Sequence, residues 1–353
     1  VARSLAPGWQ YLLVAGVAAV VSALSAPLAG LIGRRLGIVD RPGGRRRHRG
    51  MVPRLGGVPL FIGFTAAVVA AATAGILTGG YSGSDYVRLR GLIAGGAVAV
   101  VAGLLDDRFD LSPGVQMALH LLLAIVASVS LLWLERFTLP FLGYVALDDY
   151  AWGAWVYIPL TVVWVTGMIN TVNWLDGLDG LAAGVGAILC VTLAIHMHRV
   201  DQTSVALLPI GLLGALIGFL PFNVAPARLF LGSAGAVFLG YMLAGMGLVA
   251  GGRIATVLLV MGLPIVDVAW QIFDRLRRRR SPGDADRGHL HFRLQDVGLS
   301  TRLIVLLYWG FCVVLALVAL TVVSRLYKLI TLIGLGVIVA GLLAVLSRRQ
   351  DPR

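Results

Sequence analysis

The sequence predicts an all-α, polytopic integral membrane protein with about eleven transmembrane helices. Three observations carry that class. Of 353 residues, 58% are hydrophobic and only 13% charged, where a soluble chain carries about 25% charged residues. The mean hydropathy is +0.89. Apolar runs of roughly 18–22 residues, the length that crosses a bilayer core, recur along the whole chain.

The runs fall at 9–33, 57–78, 89–105, 113–134, 155–173, 181–197, 203–222, 234–251, 254–273, 303–324 and 329–347. The first is too long for a signal-peptide core and has no convincing cleavage site, so it is expected to be a span. No internal repeat or long linker divides the chain. Residues 1–353 therefore read as a single membrane-embedded domain with loops at 34–56, 106–112, 174–180, 223–233 and 274–302. Cys190 and Cys312 lie inside apolar runs and offer neither a disulfide framework nor metal-ligand spacing. The net charge of +12 points to cytoplasmic loops and to anionic lipid or phosphate ligands ahead of nucleic acid.

Orientation follows from the Arg and Lys on alternate sides. One side collects 21 of the 29, the other eight. The richer side is placed in the cytoplasm, with the N-terminus outside and the C-terminus inside. All five loops then face the cytoplasm.

The stretch Asn170-Thr-Val-Asn173-Trp-Leu-Asp176-Gly-Leu-Asp179-Gly180 interrupts two apolar runs. A charge at the centre of a transmembrane helix costs about 2.5–3.5 kcal/mol. Two carboxylates flanked by glycine fit better at a water-facing helix end that holds a metal or a polar substrate. In one ideal helix, at about 100° per residue, Asn170 and Asp179 would lie on roughly opposite faces. The helix is therefore expected to break near Gly177 and wrap the four groups around a shared point. A plain polar loop capped by Asp and Gly is the simpler alternative.

Asp106, Asp107 and Asp110 end the third run and could share one helical face. Carboxylates that close repel unless Mg²⁺ or Arg108 offsets them. Adjacent carboxylates suit Mg²⁺–diphosphate binding, or proton removal from a phosphate or hydroxyl nucleophile. An Asp-rich helix end before Ser112-Pro113 is the alternative.

Segment 34–56 is dense in arginine, whose planar fork suits phosphate. Arg45–Arg47 read as a topology-setting flank. Arg54, beside Gly56-Gly57, and His48 are candidate substrate contacts. In segment 274–302, Arg277–Arg280 again look like a flank, whereas His289 and His291 sit in a polar loop beside Arg287 and Arg293. Histidine donates to phosphate and carries protons near neutral pH. Asp267, in the ninth run, is a functional candidate because ionisable groups there are costly. His120 has a weaker claim, and His196 and His198 look structural.

Together these segments resemble the polyprenyl-phosphate N-acetylhexosamine-1-phosphate transferase family, of the glycosyltransferase 4 type. The motifs, in order, are Pro53-Arg-Leu-Gly-Gly57, Leu105-Asp-Asp107, the Asn170–Gly180 stretch, Phe230-Leu-Gly-x-x-Gly235 and Asp286-Arg-Gly-His-Leu-His291. The last resembles the branch using UDP-N-acetylglucosamine, the bacterial undecaprenyl-phosphate N-acetylglucosaminyl-1-phosphate transferases. The phospho-muramoyl-pentapeptide branch is usually closer to Pro-x-His-His-His.

The resemblance implies transfer of a phosphosugar from a UDP-sugar to a polyprenyl phosphate, with Mg²⁺ (or Mn²⁺) required. This is the first membrane step of lipopolysaccharide, teichoic acid or arabinogalactan synthesis, in a bacterial plasma membrane. It implies that Asp106 and Asp107 sit near the nucleophilic phosphate as base or positioning groups. Asn170, Asn173, Asp176 and Asp179 would bind the Mg²⁺–diphosphate or uridine, and His289, His291, Arg287 and Arg293 the sugar and diphosphate. A homodimer is a family expectation.

Three departures from the family pattern stand out. Ser233 occupies the position of an Asp considered a Mg²⁺ ligand, and a hydroxyl is a poorer ligand for a hard dication. The metal would then fall to Asp107 or Asp179 with water, or the chain is an impaired variant. Phe292 replaces a third histidine, and Gln116 a lysine. A transporter is the alternative of a different class. It would show internal repeats and polar residues near the bilayer midplane, whereas the carboxylates here collect at one face.

Overall fold

The computed structural model describes residues 8–40, 50–76, 82–139, 141, 143–249, 253–279 and 288–350, with backbone only for 346–350. Its helices are α1 (Gly8–Leu36), α2 (Gly57–Thr73), α3 (Gly83–Phe109), α4 (Pro113–Val129), α5 (Ala154–Leu175), α6 (Leu181–Arg199), α7 (Thr203–Asn223), α8 (Gly232–Val249), α9 (Ile254–Val260), α10 (Gly262–Arg277), α11 (Leu290–Asp296), α12 (Thr301–Thr321) and α13 (Arg325–Gln350). Among the described residues, α1, α3, α5, α6, α7, α8, α12 and α13 are each long and apolar enough to cross a membrane. The shorter apolar helices α2 and α4 have 17 residues each. The protein is a multi-pass, all-α membrane protein, and each of the eleven apolar runs holds a helix.

The starts of several helices follow from local chemistry. Ser82 and Asp85 form a reciprocal capping box at α3, with the Ser82 N–H donating to Asp85 at 2.9 Å. Pro113 opens α4, where its missing N–H costs nothing. Ser300 accepts from the Leu303 N–H at 3.3 Å and caps α12.

The ninth run is the main departure. It is expected as one span over 254–273, but α9 and α10 are bent by 78° at a break beside Met261. Pro264 lies in the first turn of α10. It has no N–H to donate to Val260, so a straight helix through this point would leave that carbonyl unpaired and crowd the proline ring. The bend turns α10 across the end of the bundle.

Helix α8 is the centre of the bundle, with 89% of its span buried, and it packs against α2, α3 and α5. Helices α1 and α7 approach closely because Gly214 and Gly218 carry no side chain. A Cβ there would lie 2.9 Å from the Ala15 carbonyl carbon and 3.0 Å from that of Ala19. Small residues serve this purpose in membrane helix pairs. On the outside, α1 and α13 bury only 28% and 17% of their spans. Their apolar faces suit lipid, which leaves a helix's backbone satisfied internally.

Two antiparallel hairpins lie at opposite ends. Strand β1 (Val39–Asp40) pairs with β2 (Val52–Pro53), Val39 facing Pro53. Strand β3 (Arg136–Leu139) pairs with β4 (Gly143–Ala146), Arg136 facing Ala146. The junctions α1–α2, α3–α4, α5–α6, α7–α8 and α10–α12 meet at the end of the bundle that carries the first hairpin.

Candidate active site

The first turn of α8 organises the site. The Ser233 N–H donates to Asp107 Oδ1 at 3.1 Å, and the Ala234 N–H to Oδ2 at 3.0 Å. The N-terminus of a helix has N–H groups without intrahelical partners and carries about half a positive charge, so it stabilises this buried carboxylate. Gly232 enters the turn with φ +68°, and a Cβ there would lie 2.7 Å from Asp107 Oδ2. The neighbouring glycines admit the same turn. A Cβ on Gly57 would meet Ala234 O and Gly235 N at 2.6 Å, and one on Gly103 the Ser233 carbonyl carbon at 2.5 Å. The Gly56 N–H donates to Phe230 O at 3.0 Å, and the Phe230 N–H to Pro53 O at 2.9 Å. Two of the sequence motifs are thus docked backbone to backbone, and a third joins them through the Asp107 side chain.

Asp106 lies beside this pair. Its Oδ2 accepts the Ser233 hydroxyl at 2.5 Å, and its Oδ1 accepts Gln116 Nε2 at 2.9 Å and the Leu111 N–H at 3.1 Å. The Ser233 hydroxyl is therefore turned to Asp106 as a donor. Arg54 pairs with buried Asp40 and lies 3.9 Å from Asp107 Oδ1. Asp110 does not join the cluster, contrary to the shared-face expectation. Helix α3 ends at Phe109, and Asp110 is its exposed left-handed cap at φ 47°.

The Asn/Asp stretch breaks where the sequence predicts: α5 ends at Leu175 and α6 starts at Leu181. Asp179 Oδ2 accepts the Ala227 N–H at 2.9 Å. Asn223 bridges the same turns, accepting the Gly180 N–H at 3.1 Å and donating to Leu229 O at 3.1 Å. Burial pushes the Asp176 carboxyl well above the usual carboxylate range, and the charges of Asp107 and Asp179 push it further. Arg54 and the Gly232 N–H act in the opposite direction. Asn173 lines a small cavity with Asp106, Gln116 and His120. Asn170, on α5, donates to Thr166 O at 2.9 Å and faces buried His120. It lies a turn and more below the aspartates, so the four groups do not all surround one point.

The histidines are not in a polar loop. His289 is the N-cap of α11, and His291 lies within that helix, both buried. Their rings stack at 5.6 Å between centroids. Asp267 on α10 accepts His289 Nδ1 at 3.0 Å on Oδ2 and the Leu290 N–H at 2.9 Å on Oδ1. Arg293 and Gln271 both donate to the Gly288 carbonyl. Asp267 and Arg293 thus support the histidine turn from behind. The turn meets the aspartates at Gly177, where a Cβ would lie 3.1 Å from His291 Cδ2 and 2.8 Å from Phe292 Cζ. Asp107, Asp176 and His291 therefore share one locality. His48, Arg287 and the Arg45–Arg47 run lie outside the described residues.

Several participants escaped the sequence reading. Asp40 anchors Arg54. The Trp174 ring lies 5.7 Å from that of His289 between centroids, with the Arg275 guanidinium over it, 5.5 Å from its centroid. Asn223 ties two loops. Asp40, alone among the arginines of its segment, was the one visible signal.

Comparison with known proteins fixes the family. The model of "Glycosyl transferase family 4" matches residues 89–251. A Bacillus subtilis protein named probable undecaprenyl-phosphate N-acetylglucosaminyl 1-phosphate transferase is 33% identical over 303 residues, covering 83% of this chain and 80% of the relative. A Mycobacterium leprae decaprenyl-phosphate N-acetylglucosaminephosphotransferase is 31% identical over 324 residues, covering 84% and 80%. An Escherichia coli undecaprenyl-phosphate alpha-N-acetylglucosaminyl 1-phosphate transferase is 26% identical over 292 residues, covering 77% and 72%. The chain belongs to glycosyl transferase family 4. It is an enzyme that transfers a sugar phosphate.

The family 4 match runs from α3 into the segment after α8. It holds the Asp106–Asp107 pair, the Asn/Asp turn and the first turn of α8, while Arg54 and the histidine helix come from outside it. Among the described residues, no three His, Cys, Asp or Glu side chains lie close enough to hold a metal ion unaided.

Proposed function

We propose that the chain transfers N-acetylglucosamine 1-phosphate from UDP-N-acetylglucosamine to a polyprenyl phosphate, undecaprenyl phosphate in a bacterial plasma membrane. The products are polyprenyl-diphospho-N-acetylglucosamine and UMP. The observation that carries this reading is the junction at Gly177, where the histidine helix meets the Asn/Asp turn, whose Asp176 is within electrostatic reach of the Asp107 held on the first turn of α8. The names of the relatives support the acceptor and the sugar. On this reading each of the eleven runs crosses the membrane, the ninth as the broken pair α9 and α10, with the N-terminus outside and the site at the cytoplasmic face, where nucleotide sugars are found.

In the reaction, an oxygen of the lipid phosphate attacks the β-phosphorus. The bond from that phosphorus to the bridging oxygen breaks, and UMP leaves with the oxygen. Nucleophile and target are both anionic, so the site must supply positive charge and in-line placement. Arg54, 3.9 Å from Asp107, supplies a guanidinium at the carboxylate end. Asp267 orients His289 as a donor to the diphosphate or sugar. Asp176, held above the usual carboxylate range, takes a proton from the lipid phosphate when it arrives as the monoanion.

The donors fit Mg²⁺ or Mn²⁺. They are oxygens, and the repulsion felt by Asp176 from Asp107 and Asp179 is what a hard dication relieves. Mg²⁺ usually takes one or two carboxylates and completes its shell with substrate phosphates and water, so it needs no three-residue protein cage. Asp107 or Asp179 would hold it together with substrate phosphate oxygens and water, and it would neutralise charge on the diphosphate. The Ser233 hydroxyl, engaged with Asp106, adds little. That engagement favours a second reading, a weakly active enzyme with a loose metal grip.

The test gives purified protein radiolabelled UDP-N-acetylglucosamine, undecaprenyl phosphate and Mg²⁺. Lipid-linked product and UMP are expected from the wild type and not from Asp107→Asn or Asp176→Asn. Product from both variants at the wild-type rate would overturn the assignment.

A further inference from the structure

A second charged cluster lies at the end of the bundle away from the carboxylates. Arg199 ends α6, Arg253 precedes α9 and Lys328 lies in the first turns of α13. Helix α6 has 19 residues. At about 1.5 Å per residue, that sets Arg199 roughly 28 Å from the Asn/Asp turn. All three cations are near enough to His196 for their charges to act on its ring, and Arg253 acts on Lys328. His196 itself is held by Thr256, at 2.9 Å between Nδ1 and the hydroxyl.

No anion lies within the cluster among the described residues. Among the described residues, none of the three cations forms an ion pair, and no carboxylate acts on His196, Arg253 or Lys328. Arg199 donates Nη1 to the Leu320 carbonyl at 2.6 Å. Arg253 Nε is buried with no hydrogen-bond partner. A buried, unpaired guanidinium N–H is costly, and like charges drawn together raise the cost. The sequence places these residues on the basic-poor side, which holds only eight of the 29 Arg and Lys. An anion between them removes both penalties.

The surroundings say what kind of anion. Helix α13, which carries Lys328, is the least buried of the long apolar helices. Beside Lys328 it exposes Tyr327 and then Ile330 and Ile333. An amphipathic ring at the helix end with apolar side chains below is the arrangement of a membrane–water boundary. We propose that Arg199, Arg253 and Lys328 bind the phosphate of an anionic lipid headgroup, whose acyl chains lie along α13. The site is separate from the transfer chemistry and does not rest on it.

The full-length protein in detergent is offered phosphatidylglycerol and phosphatidylcholine together, and retained lipid is counted by native mass spectrometry. One phosphatidylglycerol per chain is expected to survive conditions that strip phosphatidylcholine. Arg253→Gln and Lys328→Gln should each weaken its retention by about five-fold, and the double variant should lose it. Arg90→Gln, an exposed cation near the same end on α3, should leave retention unchanged. If Arg253→Gln fails to fold, Lys328→Gln carries the comparison, because its side chain is only half-buried on an outer helix. Equal retention of the two lipids, or equal loss in Arg90→Gln, overturns the proposal. Displacement of phosphatidylglycerol by millimolar inorganic phosphate also overturns it, since that marks a site for soluble anions.

Discussion

Replacing Gly177 by alanine tests whether the histidine helix belongs to the chemistry. No side chain is present between the Asn/Asp turn and α11. A methyl group there would lie 2.8 Å from Phe292 Cζ and 3.1 Å from His291 Cδ2, and closer still to His291 Nε2. Ordinary contact begins near 3.4 Å, so α11 must retreat by at least 0.6 Å at Phe292 and further at His291. His291 is fully buried and stacked on His289, so it cannot swing into solvent. Overpacking of this kind costs about 1–3 kcal/mol of stability. A misplacement of about 1 Å between reacting groups costs on the order of 100-fold in rate. Gly177→Ala is therefore expected to lower kcat/KM about 100-fold while the protein still folds. Gly167→Ala, at a position with no atom within 4 Å of the added methyl, should leave both unchanged. Steady-state kinetics with thermal unfolding reads both quantities. Wild-type kcat/KM in a folded Gly177→Ala protein would refute a catalytic contact between His291 and the aspartate turn.

Three further outcomes follow from the same geometry. Asp176 is protonated more readily in the folded chain than in the unfolded one, so its contribution to stability is full at low pH and is lost as pH rises through the raised value. Asp176→Asn should flatten that decline in a series of melting temperatures from acid to mildly alkaline pH, and Mg²⁺ should flatten it in the wild type. Asp267→Ala leaves the Leu290 N–H and His289 without their shared acceptor and should cost about 1–3 kcal/mol of stability. It should also lower kcat more than it raises KM; an unchanged kcat would remove Asp267 from a positioning role. Ser233→Asp should increase Mg²⁺ affinity several-fold, since it adds a charged oxygen where a neutral one stands, as read by Mg²⁺ titration of activity and of melting temperature.

The helical class and the polar face were legible because hydrophobic runs and charged clusters are local properties of the chain. The break near Gly177 was legible because two Asp-Gly steps interrupt the apolar runs, although it does not gather Asn170 with Asp179. The bend between α9 and α10 was not, although Pro264 is visible, because apolar character continues through it. The histidine segment looked like a polar loop, since seven residues of α11 are too few to show a helical period. Its burial depends on Asp267, Gln271 and Arg293, which reach it from α10 and from within α11. The pairing of Asp40 with Arg54 was hidden for a similar reason, being set by a pair of two-residue strands with little sequence signature.

The first turn of α8 explains how the chain can carry serine at 233 and keep its fold. Its N–H groups already hold Asp107, and the Ser233 hydroxyl donates to Asp106, so both carboxylates have donors before any cation arrives. An aspartate at 233 would turn that donor into another negative charge within hydrogen-bonding reach of Asp106, and only a cation could offset it. The change that weakens the grip on a dication thus makes the metal-free site self-consistent. Two proteins differing at this one residue should therefore respond to a chelator to different extents. The wild type should lose less melting temperature than Ser233→Asp when Mg²⁺ is removed, and Ser233→Asp should recover the larger loss on addition. Identical chelator responses would mean that the Ser233–Asp106 hydrogen bond does not replace a cation, and that serine is tolerated here for some other reason.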